Sequence, residues 1–225
     1  MAVAMPQRYF QRINMMSLGI TSYCSIYNQA VYLNGQEIYC DDNEQITGFI
    51  KQSYKALGIG YPKFYKMDLY SKLATVAADV LIKGTPGFHD INSAKTGVVL
   101  SNASASLDTD RRHQETISGD GEWYPSPAVF VYTLPNIMNG EICIRHKLTG
   151  EQMFFVAEKF DPVMLETYIR SLFKGGLIEQ CLGGWVDVDA TSENYRAFLF
   201  VVNRGNNISF TAENLEMLFN ENKNG

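Results

Sequence analysis

The chain has 225 residues, of which 46% are hydrophobic and 19% charged, so we expect a sizeable core and exclude a largely disordered chain. Its formal net charge of −5 disfavours a nucleic acid or an anionic membrane as partner, because both select a basic face. The four cysteines form no Cys-x-x-Cys pair and no stretch resembles a membrane span or a signal peptide, which predicts a cytoplasmic protein.

Five segments are predicted to be strands. Most of them are continuous apolar runs, which are typical of strands that are covered on both faces. In chain order they cover residues 29–35, 95–103, 151–158, 178–188 and 196–203. The connection between the last two is short and polar, so these strands should pair as a hairpin.

Four helices are predicted between and after these strands, over residues 67–83, 127–146, 162–174 and 211–221. Pro135 should interrupt the second helix. Asp161 is a natural N-cap for the third, with Pro162 as its first residue. The order βαβαβαββ predicts a single α/β domain over residues 1–225, with a mainly parallel five-stranded sheet covered by helices.

Four stretches share one family resemblance. The most specific is SPAVFVYTLPNIMNGEICIRHKLTGEQ, residues 126–152; the others are residues 61–82, 97–110 and 181–188. All four resemble the N-terminal half of β-ketoacyl synthases, the condensing enzymes of the thiolase fold, whose core repeats a βαβαβαββ half. The resemblance covers about residues 60–210. Residues 1–60 match poorly, and residues 204–225 are interpreted as a C-terminal helix extension.

The resemblance places the nucleophilic cysteine of the family after the third strand, where a helix N-terminus favours a thiolate. Counted from Gly150, that place falls at Lys159, give or take one residue, between Glu158 and Asp161. No cysteine lies within ten residues of it. The two catalytic histidines of the family come from a second half that these residues do not include. We therefore expect no catalytic residue here.

Other chemistry has little support in the sequence. A nucleophilic lysine has to be buried, and the acidic neighbours of Lys159 favour its charged form. His89, His113 and His146 are expected at the surface or at a helix end. No phosphate-binding or metal-ligand motif is present, so we expect no cofactor and no metal.

Three functional hypotheses remain open. The first is an inactive, chain-length-factor-like partner of a full-length β-ketoacyl synthase, in fatty acid or polyketide/polyene-type biosynthesis, with acyl carrier protein as a further partner. The second is an acyltransferase or synthase relative that uses a nonstandard residue or is completed by a second chain. The third is a homodimeric acyl-chain or small-molecule binder. Because the family dimerises through its third strand, the resemblance implies a homodimer or heterodimer interface at Met153, Phe154, Phe155 and Val156.

Overall fold

One mixed β-sheet organises the chain in the computed structural model, which describes residues 17–42, 45–118, 125–189, 194–205 and 207–221. Its strands are β1 (Leu18–Tyr27), β2 (Ala30–Leu33), β3 (Gln36–Cys40), β4 (Thr96–Asn102), β5 (Gln152–Val156), β6 (Gln180–Asp189), β7 (Asn194–Arg204) and β8 (Ile208–Ser209). The order across the sheet is β3-β2-β1-β7-β6-β4-β5, and β8 pairs with β1.

The sheet is mixed rather than mainly parallel, and it has eight strands rather than the predicted five. Among the described strands, β4 pairs in parallel with β5 and β6, and the other pairings are antiparallel. The difference arises at the N-terminal end, where three strands in antiparallel succession extend the sheet beyond β7. The predicted hairpin of β6 and β7 is confirmed.

Seven helices flank the sheet within the described residues. They are α1 (Ile46–Ala56), α2 (Leu69–Lys83), α3 (Leu107–Glu115), α4 (Pro127–Phe130), α5 (Ile137–His146), α6 (Pro162–Lys174) and α7 (Ala212–Asn220), with short 3-10 turns at Pro62–Lys66, Phe88–Asp90, Ser93–Lys95 and Val131–Thr133. The segment predicted as one helix over 127–146 is divided into α4, a 3-10 turn and α5, because Pro135 cannot continue a helix.

Two apolar cores lie on opposite faces of the sheet. The α2-side core contains α2, which is buried on almost every side, together with residues of α1 and α5. The α6-side core contains the apolar faces of α6 and α7. Successive side chains of β7 pack into the two cores in turn, because side chains along a strand point to alternate faces of the sheet. Leu199 packs in the α2-side core, and Phe198 and Phe200 pack in the α6-side core.

The predicted helix starts are confirmed by their capping hydrogen bonds. The carboxylate of Asp161 accepts the backbone N–H of Met164 at 2.9 Å at the start of α6. The hydroxyl of Thr211 accepts the N–H of Asn214 at 3.2 Å at the start of α7. Each cap satisfies a backbone donor that a helix leaves unpaired in its first turn.

Candidate functional site

The turn between β5 and α6, residues 157–161, lies where the family resemblance places a nucleophile. The N–H of Ala157 donates to the carbonyl of Asn102 on β4 at 2.9 Å, which fixes the start of the turn. Glu158 and Lys159 are exposed, whereas Phe160 is only 8% exposed and belongs to the α6-side core. The turn therefore presents two charged side chains to solvent and one aromatic ring to the core.

The topology makes the carboxyl ends of β4 and β5 the place where a site is expected. The chain that leaves β4 returns through α5 in the α2-side core, and the chain that leaves β5 continues into α6 in the α6-side core. Adjacent strands whose connections go to opposite faces form a crevice at their carboxyl ends, and open α/β sheets bind ligands there. The turn at 157–161 lies at that crevice.

The loop after β4 lies at the same end of the sheet. The side chain of Asn102 accepts the N–H of Ala105 at 3.0 Å and donates to its carbonyl at 2.9 Å. The N–H of Ser104 donates to the Asp187 carboxylate at 3.1 Å. These bonds hold Ala105 at a φ of 49°, a left-handed conformation that is uncommon for a residue with a side chain. The loop is thus fixed by its own contacts.

A small cavity lies beside the loop after β4. It has a volume of about 120 Å³ and lies between Tyr70, Ser104, Arg111 and the end of β6. That volume holds a few waters, since a water occupies about 30 Å³ in the liquid. Lys159 is exposed and so lacks the burial that a nucleophilic lysine needs. Among the described residues, the turn at 157–161 places no cysteine and no serine at the expected nucleophile position.

None of the three histidines lies at the turn. His89 is exposed, and the ring of His113 contacts that of Phe130 at 5.5 Å between centroids. His146 is the last residue of α5, a helix end as expected, but its side chain is only 9% exposed. Burial lowers the pKa of His146 to about 4, so the ring is neutral at pH 7 and adds no charge to the end of α5.

A larger groove, of about 730 Å³, lies at the opposite end of the sheet from the turn, where α2 and α5 end. At its base the Arg145 guanidinium donates to both carboxylate oxygens of Asp79, at 3.1 and 3.3 Å. Asp79 is 1% exposed, so this ion pair is needed to hold a charge inside the fold. We interpret the base of the groove as structural. Among the described residues, no group of three or more His, Cys, Asp or Glu side chains is arranged to hold a metal ion.

Strand β5 forms one edge of the sheet, as the described residues show it, and pairs with β4 alone. The Glu151 carbonyl and the Ala157 N–H bond to β4. The backbone N–H and C=O groups of successive strand residues point to alternate sides. Those of Gln152, Phe154 and Val156 therefore point away from β4. Unpaired backbone N–H and C=O groups along a sheet edge can bond to a strand of another chain.

The side chains of β5 are partly covered by the helices on either face. Phe154 packs against the α2-side core, and Met153 and Phe155 pack against the α6-side core. The ring of Phe155 contacts that of Tyr168 edge-on at 5.2 Å. Val156 remains 58% exposed. The predicted interface strand is thus anchored from both faces, and no strand among the described residues pairs with its outer edge.

Several exposed apolar side chains lie on the elements between β4 and β5. Helix α5 contacts both β5 and the turn at 131–133, which in turn contacts α3. Along this path several large apolar side chains are between 47% and 63% exposed: Leu107, Phe130, Val131, Leu134 and Ile144. Clusters of exposed apolar side chains mark association sites. No sequence pattern singled out this surface, although the apolar run at 128–134 was visible.

Comparison with solved structures places this fold among ketosynthase-like structures. No protein-family model matches the sequence, and neither does any curated protein. A structure of the ishigamide ketosynthase/chain length factor aligns with a TM-score of 0.64 at 18% identity, over 83% of this chain and 62% of that one. The chain has a ketosynthase-like fold. At this identity the likeness establishes the fold and leaves the activity to be tested.

Two further structures agree with this assignment. A complex of an acyl-carrier protein of a type II polyketide synthase with its ketosynthase, AntDE:AntF, aligns with a TM-score of 0.55 at 13% identity, over 84% of this chain and 62% of that one. A chain in the complex of the ketosynthase ApeO with its chain length factor ApeC from Xenorhabdus doucetiae aligns with a TM-score of 0.54 at 12% identity, over 91% of this chain and 90% of that one. The chain thus spans less than two thirds of the first two structures but matches a chain of nearly its own length in the third.

In the part of the chain that the structure describes, none of the helices is both long enough and apolar enough to cross a membrane.

Proposed function

We propose that this chain is a catalytically inactive, half-length β-ketoacyl-synthase-like protein that acts as a chain-length-factor-like partner of an active condensing enzyme. The pathway class is fatty acid or polyketide/polyene-type biosynthesis. The observation that carries the proposal is the open edge of β5, which lies at the strand through which the family dimerises. A full-length β-ketoacyl synthase is the proposed partner, and an acyl carrier protein is a further one.

The turn at 157–161, here called the emptied turn because it lacks the nucleophile of the family, supports the proposal that the chain is catalytically inactive. Lys159, which is exposed, occupies the expected nucleophile position. The N–H of Met164 is one of the donors that a helix leaves unpaired in its first turn, and here it is bonded to the Asp161 carboxylate. An oxyanion would need such donors free. The competing hypothesis, an acyltransferase that uses a nonstandard residue, would need a desolvated nucleophile at this turn. We therefore expect the isolated chain to form no carbon–carbon bond from acyl-carrier-protein substrates.

The comparisons support the partner part of the proposal. Two of the three aligned structures contain a chain length factor according to their descriptions, and one of them contains a chain of nearly the same length as this one. A protein of this length with an open edge strand and an adjacent apolar surface is suited to association. The exposed side chains of the 130–134 segment and of α5 would extend a strand contact at β5 into a larger interface.

The test is co-purification of this chain with a full-length β-ketoacyl synthase from the same organism. Phe155→Asp places a carboxylate in the edge strand and should abolish the complex. Ile38→Asp is the matched control, because Ile38 lies on β3, the edge strand at the other end of the sheet, and is 40% exposed. Loss of the complex in Phe155→Asp but not in Ile38→Asp supports the proposal. Absence of a complex with the wild-type chain, or acyl transfer by the isolated chain that is lost in Lys159→Ala, would overturn it.

A further inference from the structure

Helix α7 is held at both ends by side chains of opposite charge. At its N-terminus, a carboxylate oxygen of Glu166 accepts the N–H of Ala212 at 2.6 Å. At its C-terminus, the guanidinium of Arg196 donates to the carbonyl of Phe219. A negative charge at the N-terminus and a positive charge at the C-terminus both stabilise a helix through its dipole. A helix of nine residues is marginal in isolation, so α7 depends on these contacts and on its buried Leu215 and Leu218.

The last turn of α7 inserts an aromatic ring beside the emptied turn. The ring of Phe219 stacks on Phe160 with centroids 4.2 Å apart and contacts Phe198 edge-on at 5.7 Å. The Cζ atom of Arg196 lies 3.8 Å from the centroid of the same ring. Phe160, Phe198 and Arg196 thus form a slot, here called the aromatic slot, that Phe219 fills. Phe160 directly follows Lys159, so the slot adjoins the turn at 157–161.

We propose that α7 is a strap that closes the aromatic slot, with Phe219 as the side chain that fills it. The strap blocks the apolar side of the emptied turn from within the chain. A second polypeptide or an acyl group that approached Phe160 from this side would have to displace Phe219 first. The closed slot therefore hinders another chain from completing a site at the turn. This effect does not depend on any contact at β5.

The geometry also indicates that the strap opens locally. Its contacts at both ends are charged and only partly buried, and Glu221, just beyond α7, adds a hydrogen bond of 2.6 Å from the Tyr23 hydroxyl. Contacts of this kind weaken with salt, whereas the apolar packing of the sheet does not. Elements that open at low cost are those with few buried apolar contacts. Helix α7 buries only Leu215 and Leu218 fully, in contrast to the almost entirely buried α2.

The experiment compares hydrogen exchange of the full chain with that of Phe219→Ala. The amides of α7 should exchange about tenfold faster in the variant, because the stacked pair and the cation–π contact together contribute that much. Fluorescence of 1-anilinonaphthalene-8-sulfonate should rise as the slot opens, while exchange in β4, β6 and β7 stays unchanged. Met217→Ala is the control, since Met217 lies on the same helix but is 56% exposed.

Glu166→Gln supplies a second variant, which removes the charge at the N-terminus of α7 and keeps an acceptor. It should also accelerate exchange in α7, and added salt should reduce the difference from wild type. Unchanged exchange of α7 in both variants would overturn the proposal, as would an equal acceleration in α7 and in the sheet. Binding to the synthase should be unaffected in both, because neither side chain belongs to β5: Phe219 lies on α7 and Glu166 on α6. A failure of the strap is thus distinguishable from a failure of the proposed function.

Discussion

Asp161 holds the start of the helix that follows the turn at 157–161. Its carboxylate caps α6 by accepting the N–H of Met164. Asp161→Ala should lower the free energy of unfolding by about 0.5–2 kcal/mol, the usual cost of a lost N-cap. Urea denaturation measures this change, and Asp161→Ser, which keeps an acceptor, should restore most of it. If Asp161→Ala left stability intact but abolished binding to the synthase, Asp161 would be a functional residue rather than a cap.

The buried cluster of Asp79, Arg145 and His146 should give the protein a characteristic pH dependence. Burial lowers the pKa of His146 to about 4 in the folded state, whereas its ordinary value is about 6.5. Between these values the unfolded chain binds more protons than the folded one, so stability falls as the pH decreases from about 6.5 towards 4. At higher pH this contribution is fully present.

His146→Gln tests this origin of the pH dependence. Denaturation across the same pH range should show a shallower loss of stability in the variant than in the wild type. His89→Gln is the control, because His89 is exposed. An identical pH dependence in the wild type and in His146→Gln would show that other groups cause the loss.

At the scale of elements, the sequence predicted those parts whose signal is local. The predicted helix at 162–174 coincides with α6, because its cap, its proline and its apolar stripe lie within the segment itself. Strand β1 was missed. Its polar residues Ser22 and Ser25 break the apolar run, although both are buried where elements remote in sequence cover the faces of the sheet. Burial of this kind is set by tertiary structure.

Two missed helices differ in how much signal they carried. Helix α1 buries Ile46, Phe49, Ile50 and Tyr54, a helical spacing that a closer reading of the N-terminal region would have detected. Helix α3 buries Thr109 alone, so it has no apolar stripe. Its signal was instead the order of its charges, with acidic residues in the first turn and basic residues in the last.

The sequence predicted the position of the turn in the candidate site but not the aromatic slot beside it. Counting along the chain placed the nucleophile position of the family at Lys159, and the structure has a turn there between a strand and a capped helix. The aromatic slot was not predicted, because Phe160 meets Phe198 and Phe219, which are remote in sequence. A stacking contact of this type appears only when the sheet has brought the three residues together.

The edge of β5 permits a test that separates backbone pairing from side-chain packing. Val156 directs its N–H away from β4, so Val156→Pro removes an outward donor and leaves the pairing with β4 intact. Affinity for the synthase should fall roughly tenfold or more, since a backbone hydrogen bond is lost and the proline ring obstructs a partner strand. Val156→Ala keeps the N–H and is the control, with a much smaller effect. Equal effects of the two variants in a titration would argue against strand pairing.

For the molecule as a whole, the open edge predicts self-association when no synthase is present. Two copies that pair antiparallel through β5 would join their sheets across a two-fold axis, an isologous contact that uses the same patch twice. The wild-type chain should therefore sediment as a homodimer at micromolar concentration, with Phe155 near the axis. Phe155→Asp should sediment as a monomer, and Ile38→Asp as a dimer.

The same geometry makes homodimer and heterodimer mutually exclusive. Because the synthase and the second copy would occupy one strand edge, addition of the synthase should convert the homodimer into a one-to-one heterodimer as its concentration rises. Sedimentation velocity follows this exchange through the mass of each species. A stable complex of two copies of this chain with one synthase would place the two contacts on different surfaces, and β5 would then not be the shared interface. If the wild-type chain stayed monomeric at micromolar concentration, the β5 edge would not pair with a second copy and the prediction of a homodimer would be wrong.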